Sequence, residues 1–276
     1  MRLWNGWGNE DSDLTMELSD GLRALLEALV GSGTALSQAT LNEVIAKVPN
    51  TRLDDHPLIK TDPETRVRHA RGQSLPDWLE MHSGNVDTFP DGVAFPESSE
   101  QVRELLAHAK ENNLIVIPYG GGTSVVGHIN PETSDKPVLT IDMAKMNSML
   151  SIDTESQLAT FGAGAPGPVV EEELKKYGYT LGHFPQSWEL STLGGWVASR
   201  SSGQQSLHYG RIENMFAGGT IETLNGTMTI PTIPASSAGP DVREMILGSE
   251  GRMGIITEVT VRITPLPEKE KFQVVF

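Results

Sequence analysis

The sequence predicts an α+β fold with a small helical extension at its N-terminus. Three observations carry this. A capped helical stripe, Val102, Leu105, Leu106 and Ala109, lies between short β runs at 93–95 and 114–117. Further β runs follow at 138–141, 149–152 and 158–162, and the last leads into a helix over 169–177. Near the end, Val259, Val261 and Ile263 alternate with Glu258, Thr260 and Arg262, the period of a half-buried strand.

Bulk properties narrow the function classes. The 276 residues suffice for one large domain or two small ones. A net charge of −15 argues against nucleic acid or an anionic membrane as the main partner. The absence of cysteine excludes disulfides, thiolate metal sites and thiol nucleophiles. No apolar run approaches the ~18 residues of a membrane helix, and the N-terminus has no apolar signal core, so a cytoplasmic location without an integral membrane segment is expected. No histidine or acidic cluster suggests a metal.

In chain order, residues 1–16 read as an irregular arm with two tryptophans. Leu22, Leu25, Leu26 and Leu29 form a helical stripe that Gly31 stops, and Leu41, Val44, Ile45 and Val48 repeat the pattern before Pro49. Residues 50–75 are dense in charge, with Arg66, Arg68, His69 and Arg71 close together. They read as a solvated connector, with an anion contact as the alternative. Ser98 with Gln101 three residues later is a capping-box signature for the helix that Asn112-Asn113 ends.

The loop after the 114–117 strand is Pro118-Tyr119-Gly120-Gly121-Gly122-Thr123-Ser124. Consecutive glycines can take positive φ and turn several N–H groups into one concavity, which suits a phosphate. Thr123 and Ser124 add hydroxyls. A plain glycine turn is the alternative. In so acidic a chain, a pyrophosphate here would rely on backbone amides rather than on a basic cluster. Gly162-Ala163-Gly164-Ala165-Pro166-Gly167 is a literal dinucleotide fingerprint. The strand before it alternates polar and apolar residues, however, and no second apolar strand ends in an acid about 20 residues on. Residues 185–203 are dominated by small and hydroxyl residues, as expected of a backbone against which a flat ligand lies; a close helix–sheet contact is the alternative. Asn225-Gly226 marks a hairpin.

Four blocks recur in one order: Pro-x-Gly-Gly-Gly-Thr-Ser at 118–124, Gly-Ala-Gly at 162–164, Ser-Thr-x-Gly-Gly-Trp-Val at 191–197 and Gly-Ser-Glu-Gly-x-x-Gly-Ile-Ile-Thr at 248–257. Together they resemble the FAD-binding domain of the vanillyl-alcohol oxidase / p-cresol methylhydroxylase (PCMH-type) family. Trp4-Asn5-Gly6-Trp7-Gly8 and Ser237-Ala238-Gly239-Pro240-Asp241 resemble its alkylglycerone-phosphate synthase and bacterial FAD-linked oxidase branch. The resemblance implies two α/β subdomains, about 86–150 and 151–268, with noncovalent FAD between them, after an N-terminal arm, helices and connector at 1–85. It implies that Pro118, Tyr119, Gly120, Gly121, Gly122, Thr123 and Ser124 wrap the pyrophosphate. By the same token Gln186, Ser187, Ser191, Thr192, Ser199, Arg200, Ser201 and Ser202 lie along the ribityl and flavin, and Glu250, Gly251, Gly254, Ile255 and Ile256 meet the adenine-side or ribose portion.

The function implied is a flavin-dependent oxidoreductase acting on a small hydroxy acid or alcohol. The alternatives are an alkylglycerone-phosphate synthase and a non-catalytic flavin-binding module that works with a separate catalytic chain; self-association into a homo-oligomer is a further expectation. Family enzymes continue into a substrate cap, so 269–276 reads as the start of a missing one, and the catalytic residues are unknown. Synthases carry an arginine where this chain has Ala235. His128 lies just past the glycine loop, and His183 and His208 flank the small-residue stretch.

Overall fold

The computed structural model describes residues 2–11, 18–34, 36–269, 271, 273 and 274. Helices and strands are mixed, as expected. Of 269–276, expected to begin a cap, residues 270, 272, 275 and 276 lie outside the described residues.

The N-terminal region holds α1 (Asp20–Val30), α2 (Leu41–Ile45), β1 (Ile59–Lys60), α3 (Pro63–Arg68) and α4 (Leu75–Ser83). Ser19 caps α1 by accepting from the Leu22 N–H, and Gly31 ends it at φ 85°. Its leucine stripe is not buried in this chain: Leu25 is 53% exposed and Leu29 71%. The reading of 50–75 as a solvated connector is overturned. Arg66, His69 and Arg71 are buried. Arg66 donates to the carbonyls of Pro90 (2.6 Å) and Pro49 (2.7 Å), and Arg71 to Glu80 (2.6 Å) and Asp87 (3.1 Å). His69 Nε2 lies 2.9 Å from Asp142 Oδ2. Charge in this stretch signals buried hydrogen bonding: Arg71 is paired with carboxylates and Arg66 is held by carbonyls, with one Arg66 terminal nitrogen left without a partner among the described residues.

The rest of the chain runs β2 (Gly92–Ala94), α5 (Ser99–Glu111), β3 (Ile115–Tyr119), β4 (Val138–Asp142), β5 (Met149–Asp153), β6 (Leu158–Gly162), α6 (Gly167–Lys175), β7 (Tyr179–Thr180), α7 (Leu193–Ser199), α8 (Ser206–Tyr209), α9 (Ile212–Met215), β8 (Phe216–Thr223), β9 (Gly226–Ile230), α10 (Val242–Ile246), β10 (Ile255–Arg262) and β11 (Thr264–Pro265). Ser98 caps α5 as expected, but Gln101 accepts from the N–H of Glu97 rather than from that of Ser98.

Four strands form a sheet in the order β1-β2-β4-β3, parallel between β2, β4 and β3. Five form an antiparallel sheet in the order β5-β6-β10-β8-β9. The strand before the fingerprint, β6, is antiparallel to both neighbours, which removes the parallel βαβ unit a Rossmann site requires. The glycines there serve packing instead. A Cβ on Gly162 or Gly164 would overlap the carbonyl of Met146 or Met143, and one on Gly167 the indole of Trp188.

Each sheet has its own core. Phe161, Val170, Leu193, Trp196, Ile221 and Val259 pack in the larger, antiparallel half. Val102, Leu105, Leu139 and Ile141 pack under α5. The start of β10 joins the two, with Ile255 in the second core and Ile256 in the first. The glycine loop after β3 and the first residues of β10 therefore meet at the seam between the sheets.

Candidate functional site

The glycine loop is shaped by close approach to the segment before α7. A Cβ on Gly121 would overlap the Leu190 carbonyl, and one on Gly120 would lie 2.5 Å from Thr192 Oγ1. Gly122 sits at φ 66°, above the Tyr119 ring. Among the described residues, the N–H groups of Gly121, Gly122, Thr123 and Val125 donate to no protein acceptor. With the Ser124 N–H, which likewise has no acceptor among the described residues, five consecutive donors are left free at one turn, an arrangement that suits an anion.

Below the loop, Thr192 caps α7 by accepting from the Gly195 N–H at 3.3 Å. Leu193, Trp196 and Val197 anchor this helix in the larger core. Gly194 faces β6, where a Cβ would lie 2.7 Å from Ala163 Cβ. Gly195 faces the other way, and a Cβ there would meet only Thr192 Oγ1, at 3.2 Å. One glycine thus seats the helix on the sheet and the other leaves its outer surface open. The close helix–sheet contact expected of the small-residue stretch is found at Gly194, and the backbone is open at Gly195.

An open cavity of about 360 Å³ lies between these walls. Of the expected residues, all of 118–124 line it, with Ser187, Ser191, Thr192, Ser199, Ser201, Glu250, Gly251, Gly254, Ile255 and Ile256. Gln186, Arg200 and Ser202 do not. Gln186 and Ser202 are exposed, and the Arg200 guanidinium is held by Glu213 (2.6 Å) and Glu244 (2.7 Å). Sequence reasoning did not include Val125, Val126, Ile129, Met143, Ala163 and Gly195 among the site residues. Gly195 was detectable, being three residues after Thr192 on one helical face. Met143, on the turn after β4, carries no such signal.

Among the described residues no lysine or arginine lines the cavity, and its ionisable residues besides Tyr119 are His128 and Glu250. His128 Nδ1 lies 3.2 Å from Ser124 Oγ and 3.9 Å from Glu250 Oε2, so it joins the glycine loop to the turn before β10. Glu250 takes a left-handed φ of 50° in that turn. The following residue, Gly251, at φ 83°, packs on the Pro118 ring.

A second cavity of about 470 Å³ lies behind the loop, walled by Arg2, Arg68, His69, Tyr119 and Asp142 among others. Arg2 donates to the Gly121 carbonyl from this side. Burial, with Asp142 acting in the same direction and Arg2 against it, pushes the Tyr119 phenol up to about 12, so it is neutral. The rear of the loop is braced by charged groups, while its front offers free amides.

His183 packs against Trp196 of α7 without lining the cavity. It is fully buried, with its ring edge-on to Trp196 at 5.1 Å. Its Nε2 lies 2.7 Å from Ser201 Oγ, and among the described residues Nδ1 has no partner. Burial lowers its pKa to about 4, so the ring is neutral. His208, the other histidine singled out, stacks edge-on with Tyr209 and lines neither cavity.

Residues 90–230 match a family described as the FAD binding domain. The chain is 39% identical over 217 residues to alkyldihydroxyacetonephosphate synthase of Trypanosoma brucei brucei, covering 78% of this chain and 35% of that protein. It is 40% identical over 204 residues to an FAD-linked oxidoreductase, YgcU, of Escherichia coli K12, covering 73% and 41%. A solved structure of alkyldihydroxyacetonephosphate synthase superposes with a TM-score of 0.83 at 32% identity, over 97% of this chain and 55% of that one. The chain thus spans between about a third and just over half the length of these relatives. No helix among the described residues is long and apolar enough to cross a membrane. The chain belongs to the FAD binding domain family, and its cofactor is FAD.

Proposed function

We propose that this chain is the FAD-binding domain, in two α/β subdomains, of a flavin-dependent oxidoreductase acting on a small hydroxy acid or alcohol. FAD is held noncovalently in the cavity between the glycine loop and α7. The observation that carries this is the run 121–125, whose N–H groups have no protein acceptor among the described residues and whose residues line an open cavity with Gly195. The amides suit a pyrophosphate, and the hydroxyls of Thr192 and Ser201 suit the sugar-like and ring oxygens, while those of Ser191 and Ser199 already donate to the carbonyls of Ser187 and Gly195. Met143, Ile255 and Ile256 add an apolar wall. These residues bind and orient; the flavin, when bound, supplies a two-electron acceptor.

A second reading, a flavin-dependent transferase of the alkylglycerone-phosphate synthase type, is favoured by the similarity to alkyldihydroxyacetonephosphate synthases. Ala235 in place of the family arginine speaks against it. Both readings leave substrate chemistry to residues outside those described, supplied by further chain or by a partner chain.

The test is a visible spectrum of the protein after FAD addition and gel filtration, followed by acid precipitation. The flavin band is expected to survive filtration and pass into the acid supernatant; a band in the precipitate would overturn noncovalent binding. With the chain that supplies the substrate residues present, anaerobic addition of hydroxy acids and alcohols is then expected to bleach the band. If none does, while the same preparation replaces the acyloxy group of an acylated dihydroxyacetone phosphate by the alkoxy group of a fatty alcohol with release of the fatty acid, the transferase reading replaces the first.

A further inference from the structure

His183 is buried, neutral and hydrogen-bonded at one nitrogen only. A neutral imidazole carries a single N–H, on Nδ1 or on Nε2. If it sat on Nδ1, the molecule would bury an N–H donor with no acceptor, which is rare and costly. With the proton on Nε2, that donor is satisfied by Ser201 Oγ at 2.7 Å. The atom left without a partner is then a bare ring nitrogen, the less costly of the two.

This choice of tautomer sets the polarity of Ser201. Its oxygen accepts from His183, so its own proton is free to point elsewhere. Ser201 lines the front cavity, whereas His183 does not. We propose that His183 is a positioning residue that makes Ser201 a hydrogen-bond donor into the cavity, aimed at an acceptor atom of bound FAD. The inference rests on the cavity being the FAD site and adds to it how one polar contact is oriented from behind. The ring is held for that task by Trp196, whose own N–H is taken by Ser191 Oγ at 2.7 Å. Ser191 in turn donates to the Ser187 carbonyl at 2.8 Å. Ser191 also lines the cavity, but its proton is already spent; Ser201 keeps its own.

The test is FAD affinity, read by fluorescence titration of apoprotein, in wild type, H183F, S201A and the double variant. Each single change is expected to weaken FAD binding about tenfold, the worth of one hydrogen bond in a site. The double variant is expected to be no weaker than the weaker single one, because both remove the same contact. H183Q, whose amide N–H reaches the position of Nε2, is expected to stay within about threefold of wild type. Additive losses, or wild-type affinity in S201A, overturn the proposal. If H183F does not fold, H183Q and H183N decide instead, because the shorter asparagine cannot reach Ser201; equal affinity of the two overturns it. G195L separates this from the cavity assignment. Loss of FAD in G195L with none in S201A sinks only the role of His183, and no loss in either sinks both.

Discussion

At the scale of single residues, two buried ionisable groups tie stability to pH in different windows. The pKa of His183 is lowered to about 4 in the fold by burial, against about 6.5 in an unfolded chain. Between these values the unfolded state binds the extra proton, so stability falls as pH drops from about 6.5 to 4. The effect is on the order of 3 kcal/mol at full extent. H183Q removes the titrating group, so urea unfolding of that variant is expected to depend less on pH in this window; an unchanged slope would mean that the ring titrates in the fold as it does in the unfolded chain. Asp91 opposes its own burial by accepting from Arg52 (2.8 and 2.7 Å) and from the Val138 N–H (2.8 Å), which together hold its pKa below the usual carboxylate value. Its contribution is complete above about pH 3.9 and is lost as pH falls through the lower folded value. D91A is expected to cost about 2 kcal/mol at neutral pH, measured as a lower urea midpoint.

At the scale of elements, the seam between the sheets is built from turns rather than from long helices. The glycine loop, the start of α7 and the turn before β10 are each fixed by a glycine at a close approach: Gly121 at Leu190, Gly194 at Ala163, Gly251 at Pro118. These contacts explain how much was legible in advance. The loop, the small-residue stretch and the start of β10 announce themselves by glycines and hydroxyls, so most of the cavity lining could be named from sequence. Periodicity also located β4, β5, β6 and α5 closely. Met143 and Ala163 were missed because they reach the cavity through sheet register, which no local pattern encodes. Arg200 was expected there, but its left-handed cap at the end of α7 turns it toward Glu213 and Glu244. Buried Arg66 and Arg71 were read as solvated for a similar reason, since their partners at Pro90, Glu80 and Asp87 are distant in sequence.

The N-terminal helix is the opposite case. The leucine stripe of α1 predicts the helix correctly, but none of its residues is buried in this chain. Amphipathic period alone does not say whether a face is covered. L25K and L29K are expected to shift the urea midpoint by less than about 0.5 kcal/mol. A loss above about 2 kcal/mol would show that the stripe is buried in solution.

At the scale of the whole molecule, the two cores share the start of β10 and a cavity that both help to wall. A ligand bridging that seam stabilises the folded state by mass action, by about 2.7 kcal/mol at a hundredfold excess over its Kd. Net charge of −15 and a lining without lysine or arginine among the described residues leave the backbone to carry the attraction for an anionic cofactor. A site of this kind is sensitive to shape: a side chain added at the cavity floor removes room without removing charge. The measurement that tests the account most directly is flavin retention by G195L after FAD addition and gel filtration, set beside its urea midpoint without FAD. The account predicts a midpoint like that of wild type and no retained flavin band. Retention equal to wild type would contradict it and place FAD elsewhere on the molecule.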